Sequence, residues 1–339
     1  SHTRKPLTAC IQLLKSDHQL RVASLCLLAP NMLHAARTLA MLAVAAACAW
    51  LAPTWSMARE RSYELERQNK SPEDGGYTLA DYEALMRTIA RDNAADRSGY
   101  RATLGAFDSL ATPPKAILEV GLGSGDFARL LASRYQNSTV LGIDASEFSV
   151  HVATSSGPVP PNLRFELRSS VELSEPPNSF DVITTTFVNH EIFPDTVFVD
   201  FLRRVGRVGR QAFIFNDFVR SFGCLAGASV VHPLIRNFGP TLDLVVDWLP
   251  IGAEDRANLK AKLEAFTSQT PFVMKFALDS GFQSMRRSFT VNEYKALFKE
   301  AGFPEGALRC NREEGFVFQD FLGDTCRMVC VADLTMVTA

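Results

Sequence analysis

The chain has 339 residues, with 35 Lys and Arg against 37 Asp and Glu, so its formal net charge is −2. Hydrophobic residues make up 47% of it, which fits a globular protein and excludes an intrinsically disordered chain, because disorder needs low hydrophobicity and high net charge. The near-neutral charge leaves no electrostatic basis for binding nucleic acid, and the length suffices for one large domain or two smaller ones.

The first 58 residues differ in composition from the rest. All 24 Phe residues lie from Phe107 onwards, and the stretch between Arg37 and Arg59 carries no charge and is rich in alanine. Its apolar centre, Leu39 to Ala52, is shorter than the ~20 residues of a membrane-spanning helix. Small residues at Ser56 and Ala58 resemble a cleavage site, so residues 1–58 are predicted to be a leader for secretory or organelle targeting. The alternatives are a retained membrane anchor, which would associate the protein with a membrane, and an ordinary buried helix.

Residues 59–110 are predicted to form a linker and an N-terminal helical arm. The linker, residues 59–76, is charged and polar and ends in a turn-forming cluster. Helical spacing of apolar residues follows from Thr78, a good N-cap with Asp81 three residues later, to Leu110. Pro113 and Pro114 then end the arm.

Residues 111–339 alternate strand and helix patterns, which predicts βαβ units and a parallel sheet. Between Phe218 and Phe282 the alternation is interrupted by an apolar, mostly helical stretch, which we interpret as a cap inserted over the sheet edge. The predicted strands are 116–120, 139–144, 163–167, 180–188, 211–216, 307–314 and 326–334, and the predicted helices are 127–135, 147–154, 195–206 and 291–301.

The seven cysteines carry no metal-ligand spacing. None forms a CxxC pair and no His stands beside them at ligand spacing, so no metal site is predicted. Cys326 and Cys330, in a β-rich stretch, are predicted to be small buried hydrophobic residues. A disulfide is the alternative if the protein reaches an oxidising compartment.

The strongest motif lies at the junction of the first strand and first helix and runs from Glu119 to Gly125, reading EVGLGSG. Gly121 and Gly123 allow a sharp turn and a close approach to a ligand, and the following helix presents free N–H groups. Asp144 ends the second strand, where a carboxylate can accept two hydrogen bonds from a ribose diol. These features predict a nucleoside-binding site at the carboxyl ends of the first two strands.

Two cofactor classes share this geometry, and Asp126 distinguishes them. The dinucleotide-binding motif requires Gly or Ala at that position, and an acidic side chain there would repel a pyrophosphate. Glu119 suits a cation instead. The pattern E-x-G-x-G-x-G, with an acidic residue ending strand two, resembles motif I and the following acidic motif of class I S-adenosylmethionine-dependent methyltransferases. An NAD(P)-dependent oxidoreductase and a catalytically inactive methyltransferase-fold scaffold remain the alternatives.

The resemblance extends to the third and fourth strands. The segment Phe180 to Ile183, reading FDVI, is similar to the family's fourth strand, whose end carries residues facing cofactor and substrate. After strand three the family often has an Asp that binds the adenine amino group, where this chain has Ser169 and Ser170. The resemblance implies S-adenosylmethionine as cofactor, with contacts from Glu119, Gly121, Leu122, Gly123, Gly125, Asp144, Ala145, Ser169 and Thr186.

The fold that this resemblance implies is α/β: a Rossmann-like class I methyltransferase fold, with a seven-stranded, mostly parallel sheet, helices on both faces, a helical N-terminal arm and a helical cap. A closer resemblance is to the type 11/25-like group near bacterial quinone- and polyketide-tailoring methyltransferases. It rests on Asn216 to Ser221, on Ser284 to Thr290 and on the R-x-N spacing of Arg91 and Asn93. It implies methyl transfer to an oxygen or carbon of a small hydrophobic acceptor, such as a phenol, quinol or polyketide.

Candidate acceptor-site residues follow strands four and five. The subgroup often has a His pair after strand four, where this chain has His190 and Glu191; His190 is a candidate general base. The alternative is a loop histidine packing against the cap, beside a solvated or helix-starting Glu191. Candidate substrate contacts are Phe187, Asn216, Asp217 and Arg286, with Phe193, Phe218 and Phe222 as further apolar neighbours.

Overall fold

The computed structural model describes most of the chain after the arm begins, all of it within one compact unit, Trp55–Ala339. The predicted leader (1–58) and linker (59–76) lie outside the described residues. Within the described part, no helix is long and apolar enough to cross a membrane. The described residues are 78–95, 97–169, 172–221, 223–225, 228, 246–247, 252–267, 281–311 and 326–337.

The described strands form one seven-stranded sheet in the order β3-β2-β1-β4-β5-β7-β6. The first five strands are parallel, and β7 runs antiparallel to both β5 and β6. The expected mostly parallel sheet is confirmed, and the order reverses between β1 and β4, where their carboxyl ends leave a crevice. The strands are β1 Ala116–Val120, β2 Thr139–Asp144, β3 Leu163–Leu167, β4 Phe180–Thr186, β5 Gly209–Phe218, β6 Leu308–Cys310 and β7 Arg327–Asp333.

The predicted helical arm is divided at Gly99, whose backbone leaves helical geometry. A Cβ at Gly99 would lie 2.2 Å from the carbonyl oxygen of Asn93, so the chain can turn this tightly only at glycine. The α-helices are α1 Leu79–Ala95, α2 Ala102–Asp108, α3 Asp126–Arg134, α4 Glu147–Ser155, α5 Asp195–Val208, α6 Ala253–Thr267 and α7 Val291–Glu300, with a π-helical turn at Arg97–Arg101, 3-10 turns at Asn189–Glu191 and Leu334–Met336, and a helical segment at 281–287.

Helices cover both faces of the sheet, as predicted, because successive strand residues point to opposite sides. Leu118 and Ile183 pack in a core with α5 and α7, whereas their neighbours Ile117 and Val182 pack with α2 and α3. The first core holds much of the aromatic content of the domain, including the fully buried rings of Phe198, Phe201, Phe213, Phe215, Phe289 and Phe298.

Strand β4 ends two residues earlier than predicted. Phe187 adopts a left-handed backbone (φ +56°), so the chain leaves the strand after Thr186, and the Phe187 N–H donates to the Asn216 carbonyl at 2.8 Å. Side-chain pattern alone did not predict this break, because Phe and Val both favour strands.

The interpretation of Cys330 as a small buried hydrophobic residue is wrong in one respect. Cys330 is buried, but it forms a disulfide with Cys310, its direct cross-strand partner between β6 and β7. The two residues are separated by 20 positions, and only the pairing of the strands brings them together. Cys224 and Cys326 keep their thiols. Among the residues with described positions, no cluster of His, Cys, Asp or Glu could hold a metal ion.

Asp181 joins the amino ends of β1, β4 and β5. Its carboxylate is buried and accepts hydrogen bonds from the N–H groups of Lys115 and Ala116 at 2.7 and 3.1 Å and from Arg210 Nε at 2.8 Å. Burial raises the pKa of Asp181, but the hydrogen bonds from Arg210, Lys115 and Ala116 outweigh it and hold the pKa below the ordinary 3.8.

We expect Asp181→Asn to lower the free energy of unfolding by about 1–3 kcal/mol at neutral pH, because two backbone donors would face an amide that replaces a carboxylate. The depressed pKa stabilises the fold above about pH 4, and this stabilisation is lost as the pH falls through the folded-state value. Denaturant titrations at pH 7 and pH 3 measure both effects.

The matched control is Asp200→Asn, which removes an exposed ion pair with Arg203 on α5. An exposed pair of this kind contributes about 0–1 kcal/mol. If the two variants lose the same stability at pH 7, Asp181 does not anchor the strands.

Candidate functional site

The glycine-rich loop connects β1 to α3 and has a left-handed backbone at each of its three glycines. A Cβ at Gly121 would lie 2.2 Å from Val188, and one at Gly125 would meet Phe165 and Ala153 at 2.8 and 2.9 Å. A Cβ at Gly123, by contrast, would have the Met86 sulfur as its nearest neighbour, at 4.0 Å. Gly121 and Gly125 are therefore required by packing, whereas Gly123 lies beside open space in which a ligand can approach the backbone.

The end of β2 holds this loop in place. Asp144 accepts hydrogen bonds from the N–H groups of Gly123 at 3.0 Å and Ser146 at 2.9 Å, and the Ile143 carbonyl accepts from Gly121 and Leu122. Leu122 is buried and contacts Gly142. Burial raises the pKa of Asp144. The carboxylate that we expect to bind a ribose diol thus also positions the loop.

Glu119 is a buried carboxyl group whose hydrogen-bonding capacity is unfilled. It is 2% exposed, and its Oε2 atom has no hydrogen-bond partner. Burial, followed by the nearby charges of Asp144 and Asp126, raises the pKa of Glu119 well above its ordinary value of 4.5. A buried acceptor that is left unsatisfied costs free energy, so it indicates a group missing from its surroundings.

Two hydroxyl groups of β4 resemble Glu119 in having a buried oxygen atom with unused hydrogen-bonding capacity. Thr184 pairs with Glu119 across the parallel β1–β4 ladder, and Thr186 lies two residues further on the same face. The Oγ1 atoms of both threonines are buried without a hydrogen-bond partner. Glu119, Thr184 and Thr186 thus form a row of unfilled polar atoms on one face of the sheet, at the crevice.

The arm covers the same face. The Asn216 amide on β5 donates to the Gly99 carbonyl at 3.1 Å and to Thr103 Oγ1 at 2.9 Å, and Arg327 on β7 donates to Asn93 Oδ1 at 2.7 Å. Asn216, a predicted substrate contact, therefore fastens the arm.

Other contacts hold the arm near the glycine-rich loop. Tyr82 on α1 hydrogen-bonds to Ser149 on α4 at 2.8 Å, and α6 packs against α1. Tyr100 lies near Glu119 and Asp126: burial, followed by the charges of these two groups, raises the pKa of Tyr100 above the ordinary 10. The arm thus contributes residues to the surroundings of the glycine-rich loop.

An aromatic stack follows β4. The Phe187 ring lies 4.5 Å from the Phe218 ring, and the Arg327 guanidinium lies 4.6 Å from the centre of the Phe187 ring. The left-handed conformation of Phe187 is uncommon for a residue of this size and is found mostly where the surroundings impose it. Phe187 and Phe218, both candidate acceptor neighbours, are therefore in contact with each other.

A network of charged side chains lies beside this stack, and His190 is at its centre. Its Nδ1 lies 2.6 Å from Asp217 Oδ1, and its Nε2 lies 3.0 Å from Glu191 Oε1. The other Asp217 oxygen accepts from the Tyr294 hydroxyl at 3.2 Å, and the other Glu191 oxygen lies 3.6 Å from Arg287. We call these five residues the His190 network.

Burial lowers the pKa of His190, but the charges of Asp217 and Glu191 and their hydrogen bonds more than offset it and raise the pKa to about 10. The imidazole is 3% exposed and Asp217 is fully buried. An ion pair this deep is maintained only when its partners stay in place.

The remaining candidate residues differ in their exposure to solvent. Ala145 and Phe193 are exposed, and Ser169 and Arg286 are partly buried. Phe222 lies outside the described residues. The sequence did not single out Met86, Tyr100, Thr184, Tyr294 or Arg327, because ordinary core and surface residues of the same types occur throughout the chain.

Comparisons with known proteins agree with this geometry. Residues 117–211 match the family model of a methyltransferase domain. A stretch of 76 residues is 36% identical to the methyltransferase str3 of Strobilurus tenacellus and covers 22% of this chain and 25% of that protein. A stretch of 107 residues is 32% identical to a demethylmenaquinone methyltransferase of Deinococcus radiodurans and covers 31% of this chain and 43% of that protein.

The chain thus matches less than half the length of these two relatives. Among solved structures, a SAM-dependent methyltransferase from Aquifex aeolicus aligns at 15% identity and a TM-score of 0.40, covering 69% of this chain and 89% of that one. The matched segment runs from β1 into β5, and the seven-stranded mixed sheet has the arrangement expected of the class I S-adenosylmethionine-dependent methyltransferase fold.

Proposed function

We propose that the protein transfers a methyl group from S-adenosylmethionine to an oxygen or carbon of a small hydrophobic acceptor. The observation that carries this proposal is the buried carboxyl group of Glu119, whose Oε2 atom has no partner at the edge of the glycine-rich loop. Such a group favours a ligand that brings hydrogen-bond donors and positive charge.

The charge around the loop supports a cationic cofactor over a dinucleotide. Asp126 and Asp144 lie close enough to Glu119 for their charges to raise its pKa. Three acidic side chains around one loop would repel a pyrophosphate, whereas they attract a sulfonium and an ammonium group. When bound, S-adenosylmethionine supplies an electrophilic methyl group on its sulfonium.

Different residues around the loop bind different parts of the cofactor in this proposal. Gly123 lies beside the open space, and Asp144 can accept hydrogen bonds from a ribose diol while it holds the Gly123 N–H. Glu119, Thr184 and Thr186 offer unfilled oxygen atoms to an ammonium group. We retain Ala145 and Ser169 as proposed contacts on the resemblance alone.

The acceptor side is apolar and aromatic. Phe187 and Phe218 stack at the end of β4 and β5, with the Arg327 guanidinium against Phe187. This environment suits a flat, hydrophobic acceptor such as a phenol, quinol or polyketide, and the name of the Deinococcus relative points to quinone chemistry in that protein. The catalytic contribution we propose is alignment of the reacting atoms and exclusion of water.

We expect Glu119→Gln to weaken binding of S-adenosylmethionine roughly 10–100-fold, because a charge-assisted contact is replaced by a neutral one. The raised pKa of Glu119 means that ionisation disfavours the folded state as the pH rises above 4.5. The same variant should therefore raise the free energy of unfolding of the ligand-free protein at pH 8, by about 1–3 kcal/mol. Calorimetry and denaturant titration measure the two effects.

S-adenosylhomocysteine, which lacks the sulfonium charge, is the matched ligand for this variant. An equal loss for both ligands assigns Glu119 to the ammonium group, and a loss for S-adenosylmethionine alone assigns it to the sulfonium. Unchanged affinity for both ligands would contradict a role of Glu119 in cofactor binding.

We expect Asp144→Ala to weaken cofactor binding by about 1.5–3 kcal/mol, the range for hydrogen bonds to a charged group. Glu147→Ala is the control, because Glu147 is exposed in the first turn of α4, three residues away. Equal binding by Asp144→Ala and the native protein would mean that the ribose is held elsewhere.

Turnover tests the function itself. The protein is incubated with S-adenosylmethionine carrying a labelled methyl group and a panel of phenols, quinols and polyketide aromatics, and labelled product is followed by mass spectrometry. Product from a panel member supports the proposal and identifies the acceptor class. Binding of S-adenosylmethionine without any product favours the inactive scaffold instead.

A further inference from the structure

We propose that His190 is a permanently charged imidazolium that positions the loop after β4, and that the methyl acceptor loses its proton without it. The part that concerns the acceptor rests on the proposed methyl transfer; the part that concerns the charge of His190 does not. The proposal assigns to a candidate general base the role of a positioning residue.

The charge of His190 follows from the two contacts of its imidazole ring. A carboxylate oxygen can only accept a hydrogen bond, and His190 has one carboxylate oxygen at each ring nitrogen, at 2.6 Å from Nδ1 and 3.0 Å from Nε2. Both nitrogens must therefore carry a proton to satisfy both contacts. A neutral imidazole would turn a lone pair toward one of the carboxylates.

The charges that face His190 from each neighbouring element balance only when the ring is protonated. Asp217 comes from β5, Glu191 from the same 3-10 turn, and Arg287 from the helical segment 281–287, where it faces Glu191. Tyr294 on α7 reaches Asp217, and the Phe218 ring lies 5.7 Å from the imidazole. Two carboxylates, one guanidinium and one imidazolium sum to zero, whereas a neutral imidazole would leave a buried negative charge.

A general base needs a free lone pair within hydrogen-bond reach of the acceptor. The ring of His190 has none in this arrangement. Asp217 is occupied as well, because its two oxygens accept from the His190 ring, the His190 N–H at 3.1 Å, the Phe218 N–H at 2.7 Å and Tyr294. Of the His190 network, Glu191 is the most exposed acid, with 20% of its side chain accessible, and it already contacts His190 and Arg287.

The ring nitrogens of His190 and the oxygens of Asp217 are thus occupied and do not take the proton of the acceptor, whereas Glu191 Oε2 has no hydrogen-bond partner. The network instead joins the loop after β4 to β5, α7 and the segment 281–287, and so positions Phe187 and Phe218 beside the acceptor.

The charge of His190 is measured directly by nitrogen NMR on the full chain labelled at histidine. We expect both ring nitrogens to remain protonated from about pH 6 to 9, because two carboxylates hold the imidazolium. His190→Gln assigns the resonance, and His151, exposed on α4, provides a comparison signal in the same sample. A ring that loses its proton with a midpoint near pH 7 would overturn the proposal.

Glu191→Gln provides a second test that keeps an acceptor oxygen for the Nε2–H but removes one charge. We expect the midpoint for deprotonation of His190 to fall by about one pH unit or more, since one of its two charged partners is lost. An unchanged midpoint would mean that Glu191 does not hold the ring. This variant changes a partly exposed side chain, so it keeps the proposal testable if His190→Gln does not fold.

Kinetics separate a positioning role from a catalytic one. With an acidic phenol, His190→Gln should lower kcat by roughly tenfold or less and leave the shape of its pH dependence unchanged. Loss of an ionisation from the pH profile, with a fall of about a thousandfold, would identify His190 as the base. The NMR measurements need no turnover, so absence of methyl transfer would reject the proposed function without affecting the test of the imidazolium.

Discussion

Burial of acidic groups at the carboxyl edge of the sheet is the constraint on which the site depends. An ionised side chain that leaves water must find compensating partners in the protein or from a ligand. Asp217 finds them within the chain, from His190, Phe218 and Tyr294. Glu119 does not, and one of its oxygens is left without a hydrogen bond. This difference separates a carboxylate whose partners lie within the chain from one that can still accept hydrogen bonds from a ligand.

The two carboxylates lie on either side of the β4 end. On the β1 side, the unfilled oxygens of Glu119, Thr184 and Thr186 face the glycine-rich loop and the arm. On the β5 side, the His190 network is electrically balanced and supports the Phe187–Phe218 stack. A row of unpaired polar atoms next to an aromatic pair agrees with the proposal of a charged cofactor beside a hydrophobic acceptor.

The elements around the site are coupled by few but specific contacts. Asn216 and Asp217 are neighbours on β5 and, as alternating strand residues, they act on opposite faces: Asn216 holds the arm, and Asp217 holds His190 and α7. Arg327 joins the same assembly by contacting both Asn93 in the arm and the Phe187 ring. Two residues predicted to contact the substrate, Asn216 and Asp217, therefore also hold the arm and the loop after β4 in place.

Local features could be predicted from the sequence alone: the first three strands to the residue, the glycine-rich turn with Glu119 and Asp144, and the end of the arm at its prolines. These follow from apolar periodicity and from backbone requirements that involve only neighbouring residues. Features that depend on distant partners could be seen only in the tertiary structure: the Cys310–Cys330 disulfide, the break at Phe187, the use of Asn216 to hold the arm, and the contact of Asp217 with His190. The sequence left open whether His190 is a general base or a packed loop histidine, because the charge of an imidazole is set by groups brought to it by the fold, and Asp217 lies 27 residues away.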